Sequence, residues 1–306
     1  MMLPGKYLIL GLSLLMLACQ QSSDQSSNSK LKVITTTTMI ADAVANVGGD
    51  SLEVTALMGP GVDPHLYKAT QGDLKKLRNA DLVFYNGLLL EGKMGEVLEK
   101  LGRIKPVTAV SSDINPAQLL NSPLYENAYD PHIWFDVALW KQAVAKIAGT
   151  LQELDPGNAG YYRQNADNYL KRLDSLHQQV LTEIAQIPYQ QRVLITAHDA
   201  FEYFGRAYDI EVRGLQGLST LTEFGLKDIT DLVQFIMERN IRAVFIETSI
   251  SERSIQAVVE GCQNQGHDVR IGGSLFSDAM GAKNTPEGTY IGMVNANVRT
   301  ITQALK

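Results

Sequence analysis

From Leu31 onward, short runs rich in β-branched and other apolar residues alternate with longer stretches in which apolar positions recur at three and four. In the first half Leu31–Thr37, Leu52–Met58, Asp81–Asn86 and Val107–Val110 read as strands. In the second half Arg192–Thr196, Glu211–Leu215, Ala243–Glu247 and Asp268–Gly272 read as four more. Strands separated by helical stretches must be joined by crossovers, so the pattern predicts an α/β protein of parallel sheets covered by helices. Between the halves, Asp155-Pro156 offers an N-cap followed by proline in the first turn, and a helical pattern then runs to about Ile187 before Pro188. Tyr162, Ala166, Tyr169, Leu170, Leu173, Leu176, Val180, Leu181 and Ile184 keep its spacing. At about 1.5 Å per residue, some 30 residues make a rod of about 45 Å, longer than one lobe needs. It reads as a spine joining two similar lobes; the alternative is a long helix packed inside one domain. The expected organisation is a leader over 1–19, a tether over 20–30, an N-terminal α/β lobe over 31–154, a linking helix over 155–187 and a C-terminal α/β lobe over 188–306.

Composition narrows the function classes. With 306 residues, 45% hydrophobic and 20% charged, the chain is long enough for two cores. Its 27 basic and 33 acidic residues form no basic stripe, so no nucleic-acid partner is expected. Met1 to Lys6 carries one positive charge, Tyr7 to Leu17 is almost entirely apolar, and Ala18-Cys19 follows, which is a signal-peptide layout. The apolar run is about half of the roughly 20 residues a spanning helix requires, so a retained transmembrane helix is the weaker reading. Ala18-Cys19 resembles a bacterial lipobox, in which the cysteine is diacylated and becomes the mature N-terminus. Met16 and Leu17 replace the usual leucine and small residue, and simple cleavage is the alternative. Gln20 to Lys30 has no apolar residue to bury and reads as a flexible tether. The other cysteine, Cys262, would have no disulfide partner once Cys19 is acylated and is expected as a small buried hydrophobe.

Of five histidines, three sit in unusual contexts: Asp63-Pro64-His65, Asp130-Pro131-His132-Ile133-Trp134 and Thr196-Ala197-His198-Asp199. Proline fixes its own φ and extends the residue before it, giving a stiff approach to His65 and His132 that suits a metal ligand, since positioning beforehand lowers the ordering cost. His198 and His65 follow strands, and Asp278 lies just beyond the last strand; ligands of open α/β sheets bind at that edge. Residue by residue these signals are weak: the spacings match no local zinc pattern and establish only that three histidines and one aspartate can meet. His177, within the spine, and His267, in a turn, are not expected as ligands. Asp63, Asp130 and Asp199 lie beside the histidines and could accept a second ring N–H, and Glu247 closes a strand at the same edge, as a carboxylate behind the site or lining the cleft. Trp134, Phe135, Phe201, Tyr203 and Phe204 read as cleft wall and core.

The segments GPGVDPHLYKAT, DPHIWFD, VLITAHDAFEYF, SLFSDAMG and EGTYIGMVNANV, in this order along nearly all of the chain from Leu31, resemble the solute-binding proteins of zinc and manganese ABC importers, the TroA-like cluster A-I family. The resemblance implies two α/β lobes bridged by one rigid helix, with one metal in the interlobe cleft on His65, His132, His198 and Asp278. It further implies an extracytoplasmic, lipid-anchored, monomeric protein that hands its ion to a permease with a separate ATPase. Zinc-dedicated members often carry a histidine-rich loop before the second ligand, and Ser111 to Tyr129 contains no histidine. Manganese-dedicated members usually place glutamate where this chain has His198. Three imidazoles and one carboxylate favour Zn2+, with Mn2+ next, because imidazole suits zinc and manganese stands lowest in the Irving–Williams order. Four protein ligands fill a tetrahedral shell and leave no open position, so no enzymatic activity is expected. His-Glu-x-x-His, Gly-x-Ser-x-Gly and Gly-x-x-x-x-Gly-Lys are absent as well. The competing readings are an exported metallohydrolase with His65, His132 and His198 as ligands and Asp278 as base, and a surface adhesin of the same family.

Overall fold

A computed structural model describes residue 1 and residues 30–122, 126–221 and 224–306. Residues 2–29, which hold the expected leader beyond Met1, Cys19 and all but the last residue of the expected tether, lie outside the described residues. The first half forms β1 (Leu31–Thr35), α1 (Thr38–Gly48), β2 (Leu52–Ala56), α2 (Gln71–Asn79), β3 (Leu82–Tyr85), α3 (Gly95–Gly102), β4 (Val107–Ala109) and α4 (Val137–Leu154). Its sheet is parallel, in the order β2-β1-β3-β4. After α5 (Ala159–Ile184) come β5 (Val193–His198), α6 (Glu202–Tyr208), β6 (Glu211–Gln216), α7 (Leu226–Glu238), β7 (Ala243–Glu247), α8 (Arg253–Asn264), β8 (Arg270–Leu275) and α9 (Tyr290–Leu305). Here β5 pairs with β6 and β7 with β8, both parallel, and β5 lies beside β7.

β1 and β2 end two residues before the pattern predicts, at Thr35 and Ala56, and two later strands differ in ways that bear on the site. β5 continues two residues further, so His198 is its last residue instead of following it. β8 begins and ends later than Asp268–Gly272 because a bulge opposite Val244/Phe245 absorbs Gly272. The glycine pair is there for close approach: a Cβ on Gly272 would stand 2.7 Å from Ala304 Cβ, and one on Gly273, at φ 149°, 2.5 Å from Thr300 Cγ2, both on α9.

The spine is α5, preceded by a 3₁₀ turn over Pro156–Asn158. Asp155 does not cap the long helix itself; its carboxylate accepts from Asn158 Nδ2 and the Tyr162 hydroxyl, both at 2.7 Å. The 26 residues of α5 span about 39 Å. Tyr162, Ala166, Tyr169, Leu173, Leu176, Val180 and Ile184 are buried, whereas Leu170 is half-buried and Leu181 exposed. α5 packs on α1 and α4 of the first half and on α6 and α9 of the second. One apolar core therefore runs without interruption from Val33 and Phe84 through Trp140, Tyr162 and Leu173 to Phe245, Leu275 and Tyr290. Smaller clusters cover the outer faces, Leu77 and Leu98 against Ile34 and Val83, and Val233, Ile255 and Cys262 against Ile195 and Val244. Sheets buried on both faces explain why the strands read as nearly continuous apolar runs. Among the described residues no helix is long and apolar enough to cross a membrane.

Candidate metal centre

His65 lies in the irregular stretch between β2 and α2, His132 ahead of α4, His198 at the end of β5, and Asp278 three residues beyond β8. Four distant segments thus meet at the carboxyl edges of the strands. All four side chains are buried, and one donor atom of each lies within 4.8 Å of the others. His65 Nε2 stands 3.3 Å from His132 Nε2, and the carboxylate of Asp278 stands 3.8, 3.6 and 3.3 Å from Nε2 of His65, His132 and His198. Donors at about 2.0–2.1 Å around a tetrahedral ion are separated by about 3.3–3.4 Å, so the spacing fits one small divalent cation. Neither oxygen of Asp278 accepts a well-formed hydrogen bond, and His198 Nε2 makes none either, its contact with that carboxylate being 3.3 Å. Buried polar atoms are nearly always satisfied, and a cation would satisfy these together.

The carboxylates beside the histidines differ in what they hold. In both Asp-Pro-His motifs the aspartate accepts the N–H of the histidine two residues on, Asp63 from His65 at 2.8 Å and Asp130 from His132 at 2.9 Å. Asp130 Oδ1 also accepts from His132 Nδ1 at 2.7 Å, which fixes the ring and turns Nε2 to the cluster. Glu247 does the same for His198, accepting from its backbone N–H at 2.8 Å and from Nδ1 at 2.6 Å. Asp63 and Asp199 do not take the ring bonds that sequence adjacency suggested. The second oxygen of Asp63 accepts from the Thr220 hydroxyl at 2.6 Å, on the other half of the molecule. Asp199 is bonded to Glu202, with Oδ1 buried and unsatisfied. His177 contacts the Tyr208 hydroxyl and His267 the Ile241 carbonyl, both away from the cluster.

Electrostatics separates the members further. Burial, with His132 and His198 nearby, pulls His65 down to about 3 despite Asp278. Burial also opposes charge on His198, but the carboxylates of Glu247 and Asp278 outweigh it and hold that imidazole well above its ordinary range. Burial disfavours charge on Asp278 too, and the three imidazoles overcome it, leaving the carboxyl well below the usual range. Asp199 is pushed up to about 7, by burial first and then by Glu202 and Asp130.

Several supporting residues escaped the sequence reading. Trp134, read only as wall, donates from Nε1 to the Ser277 carbonyl at 3.0 Å, while Tyr290 donates its hydroxyl to the Trp134 carbonyl at 2.7 Å. These bonds tie the loop of His132 to the loop of Asp278. Tyr203 donates to the Asp130 carbonyl at 2.9 Å across the same junction. Buried Glu91 accepts from the Thr36 hydroxyl and from the N–H groups of Asn86 and Gly87, and Asn86 Nδ2 donates to the Pro131 carbonyl. A lone carboxylate in the run Leu88-Leu89-Leu90-Glu91 was the available signal for this group. Thr220 had none, since a hydroxyl's partner 157 positions away leaves no local trace.

Comparison with known proteins places this geometry. The model of the family described as zinc-uptake complex component A, periplasmic, matches residues 33–304. The chain is 52% identical over 286 residues to the manganese-binding lipoprotein MntA of Bacillus subtilis, covering 93% of each. It is 49% identical over 284 residues to the zinc-binding protein TroA of Treponema pallidum, covering 93% of this chain and 92% of that one. The solved structure of the periplasmic zinc-binding protein TroA from that organism superposes with a TM-score of 0.88 at 48% identity, over 90% of this chain and 99% of the other. With a match over nearly all of its described length, this chain belongs to the family of the periplasmic component A of zinc-uptake complexes.

Proposed function

We propose that this protein is the extracytoplasmic solute-binding component of an ABC importer, capturing one Zn2+ or Mn2+ on His65, His132, His198 and Asp278 and delivering it to a permease driven by a separate ATPase. The observation that carries the reading is the buried cluster of three imidazoles around a carboxylate with no other partner. Because Asp278 stands 3.3–3.8 Å from all three Nε2 atoms, it belongs with the ligands instead of standing off as a base, which disfavours a hydrolase. A shell closed by four protein donors retains an ion as cargo. An adhesin role would leave the cluster without a purpose.

The donor set favours zinc, by the affinity of imidazole for it and by the Irving–Williams order. One similar relative is named for manganese and another for zinc, so the donor chemistry carries the ranking. Acylation at Cys19 would anchor a monomeric body through the stretch to Lys30; the MntA relative is named a lipoprotein. Capture requires only a small tilt and local loop movement, since α5 and the continuous core resist a wide hinge. The test is metal content by mass spectrometry of the full chain offered zinc and manganese together, beside a His65→Ala/His198→Ala double variant. One equivalent of zinc in the parent and none in the variant is expected. Manganese would reverse the ranking, and a parent without metal would refute the capture site.

A further inference from the structure

The four side chains of the centre are not equally enclosed. His65 keeps 3% of its side chain exposed, while those of His132, His198 and Asp278 keep none. Of the four, His65 alone lines an open cleft of about 210 Å³ whose other walls include Leu88, Leu89 and Pro131 from one half and Leu218 and Leu221 from the other. The rings of His132 and His198 are each held through Nδ1 by a carboxylate that also holds the residue's N–H. His65 has only the backbone bond from Asp63, and it sits in a stretch with neither helix nor strand, where Gly61 adopts φ 70°.

This stretch is tied within its own half by the Tyr67 hydroxyl, which donates to Asp73, and to the other half by the second oxygen of Asp63. That oxygen accepts the Thr220 hydroxyl at 2.6 Å, a bond that crosses the cleft. Thr220 is itself tied by its carbonyl to Gln216 Nε2 at 3.0 Å, and Gln216 is the residue of β6 that pairs with His198. The opposite side of the centre is fixed by the Trp134–Ser277 and Tyr290–Trp134 bonds. A centre with one braced side and one latched side exchanges its ion on the latched side, because breaking a single hydrogen bond costs far less than dismantling a buried network.

We propose that Thr220 is a positioning residue that acts through Asp63 to hold His65 in the centre, and that the ion passes in and out over His65 through the cleft bounded by Leu88, Leu89, Leu218 and Leu221. This rests on the metal-capture reading above. Besides its leucines and Pro131 the cleft is lined by Ser122, Ser219 and Tyr129, and His65 is its only imidazole or carboxylate, so an ion admitted there meets His65 as its first strong ligand and the buried trio next.

The test is stopped-flow measurement of zinc uptake and of chelator-driven zinc release, on the full chain and on Thr220→Val, Thr220→Ser and Leu221→Trp. Loss of one hydrogen bond to a carboxylate in Thr220→Val should speed release about tenfold, and Thr220→Ser should restore it to within about twofold of the parent. Leu221→Trp, which narrows the cleft without touching the ligands, should slow uptake and release by the same factor and leave Kd unchanged. Parental release in Thr220→Val, or failure of serine to rescue, overturns the latch. Unchanged rates in Leu221→Trp overturn the route. A parent that binds no zinc refutes the capture reading itself, whereas a parent that binds one equivalent with unaltered kinetics in every variant refutes only the latch and route.

Discussion

Asp63-Pro64-His65 and Asp130-Pro131-His132 are the same three residues in the same local turn, yet they have become different devices. Each aspartate accepts the N–H of its histidine. Asp130 then spends the same oxygen on the ring of His132, its carbonyl is pinned by Tyr203, and the proline carbonyl behind it is held by Asn86. Asp63 instead turns its second oxygen across the cleft to Thr220 and leaves the ring of His65 without a carboxylate. A short motif prescribes how the backbone approaches a ligand; whether that ligand is rigid or releasable is decided by what the spare oxygen finds in the folded molecule.

The strongest way to break this comparison is to remove one imidazole at a time. Losing any one of four donors should cost about 10³-fold in zinc affinity, given apparent binding free energies of about 10–16 kcal/mol for closed zinc shells. His132→Ala is expected at or beyond that figure because its braced neighbours cannot close on the ion, and His65→Ala below it because its loop can admit a water ligand. Competition titration against a chelator decides this, and equal losses would erase the distinction between the two motifs. Next in size is the carboxylate exchange: Asp130→Asn should lower zinc affinity by about 10–100-fold, as loss of a ring-orienting partner does, and Asp63→Asn by less than about tenfold. The same titration would contradict the assignment if Asp63→Asn were the more damaging.

Smallest is the proton count. The metal-free imidazole of His198 is held in its cationic form by Glu247 and Asp278, while His65, down at about 3, is a neutral imidazole at neutral pH. With His65 neutral, its single ring proton on one nitrogen and the other free to bind, an ion must displace the extra proton of His198 and none from His65. Affinity should rise about tenfold per pH unit while the pH stays below the raised value of His198, and fall as the medium is acidified. Calorimetry near neutral pH in buffers of different ionisation enthalpy should give about one proton released per ion from His198. A count unchanged in Glu247→Gln would contradict this origin.

Much of the architecture was legible because it rests on periodicity. β3, β5 and β7 show as apolar runs because they are buried on both faces, the other strands show by β-branched residues between helical stretches, the spine shows by its three-and-four spacing, and the stiff approach to His65 and His132 follows from proline. The end of β8 was not legible at Gly272, since the strand runs on to Leu275 through two glycines that serve the close approach of α9. Glu247 could be placed at the right edge, but its pair of hydrogen bonds to His198 depends on β5 lying beside β7, which no local pattern encodes. Asp199 could be offered as a partner of an imidazole only by adjacency, and adjacency does not carry its bond to Glu202 three residues on. Trp134 and Thr220 act through carbonyls and hydroxyls far away in the chain, and such contacts carry no signature in composition or spacing.

The placement of α9 has a consequence for the order in which the molecule is built. Asn297 on this last helix brackets Phe276, accepting its N–H at 2.9 Å and donating to its carbonyl at 2.7 Å, two residues before Asp278. Tyr290, at the start of the helix, holds Trp134 and so the loop of His132. A chain made amino end first thus has all four donors in hand well before it has the segment that aligns them. The binding geometry matures only when the final 17 residues have docked, so an incomplete chain is a folding intermediate with its histidines and aspartate present but not yet a trap for metal.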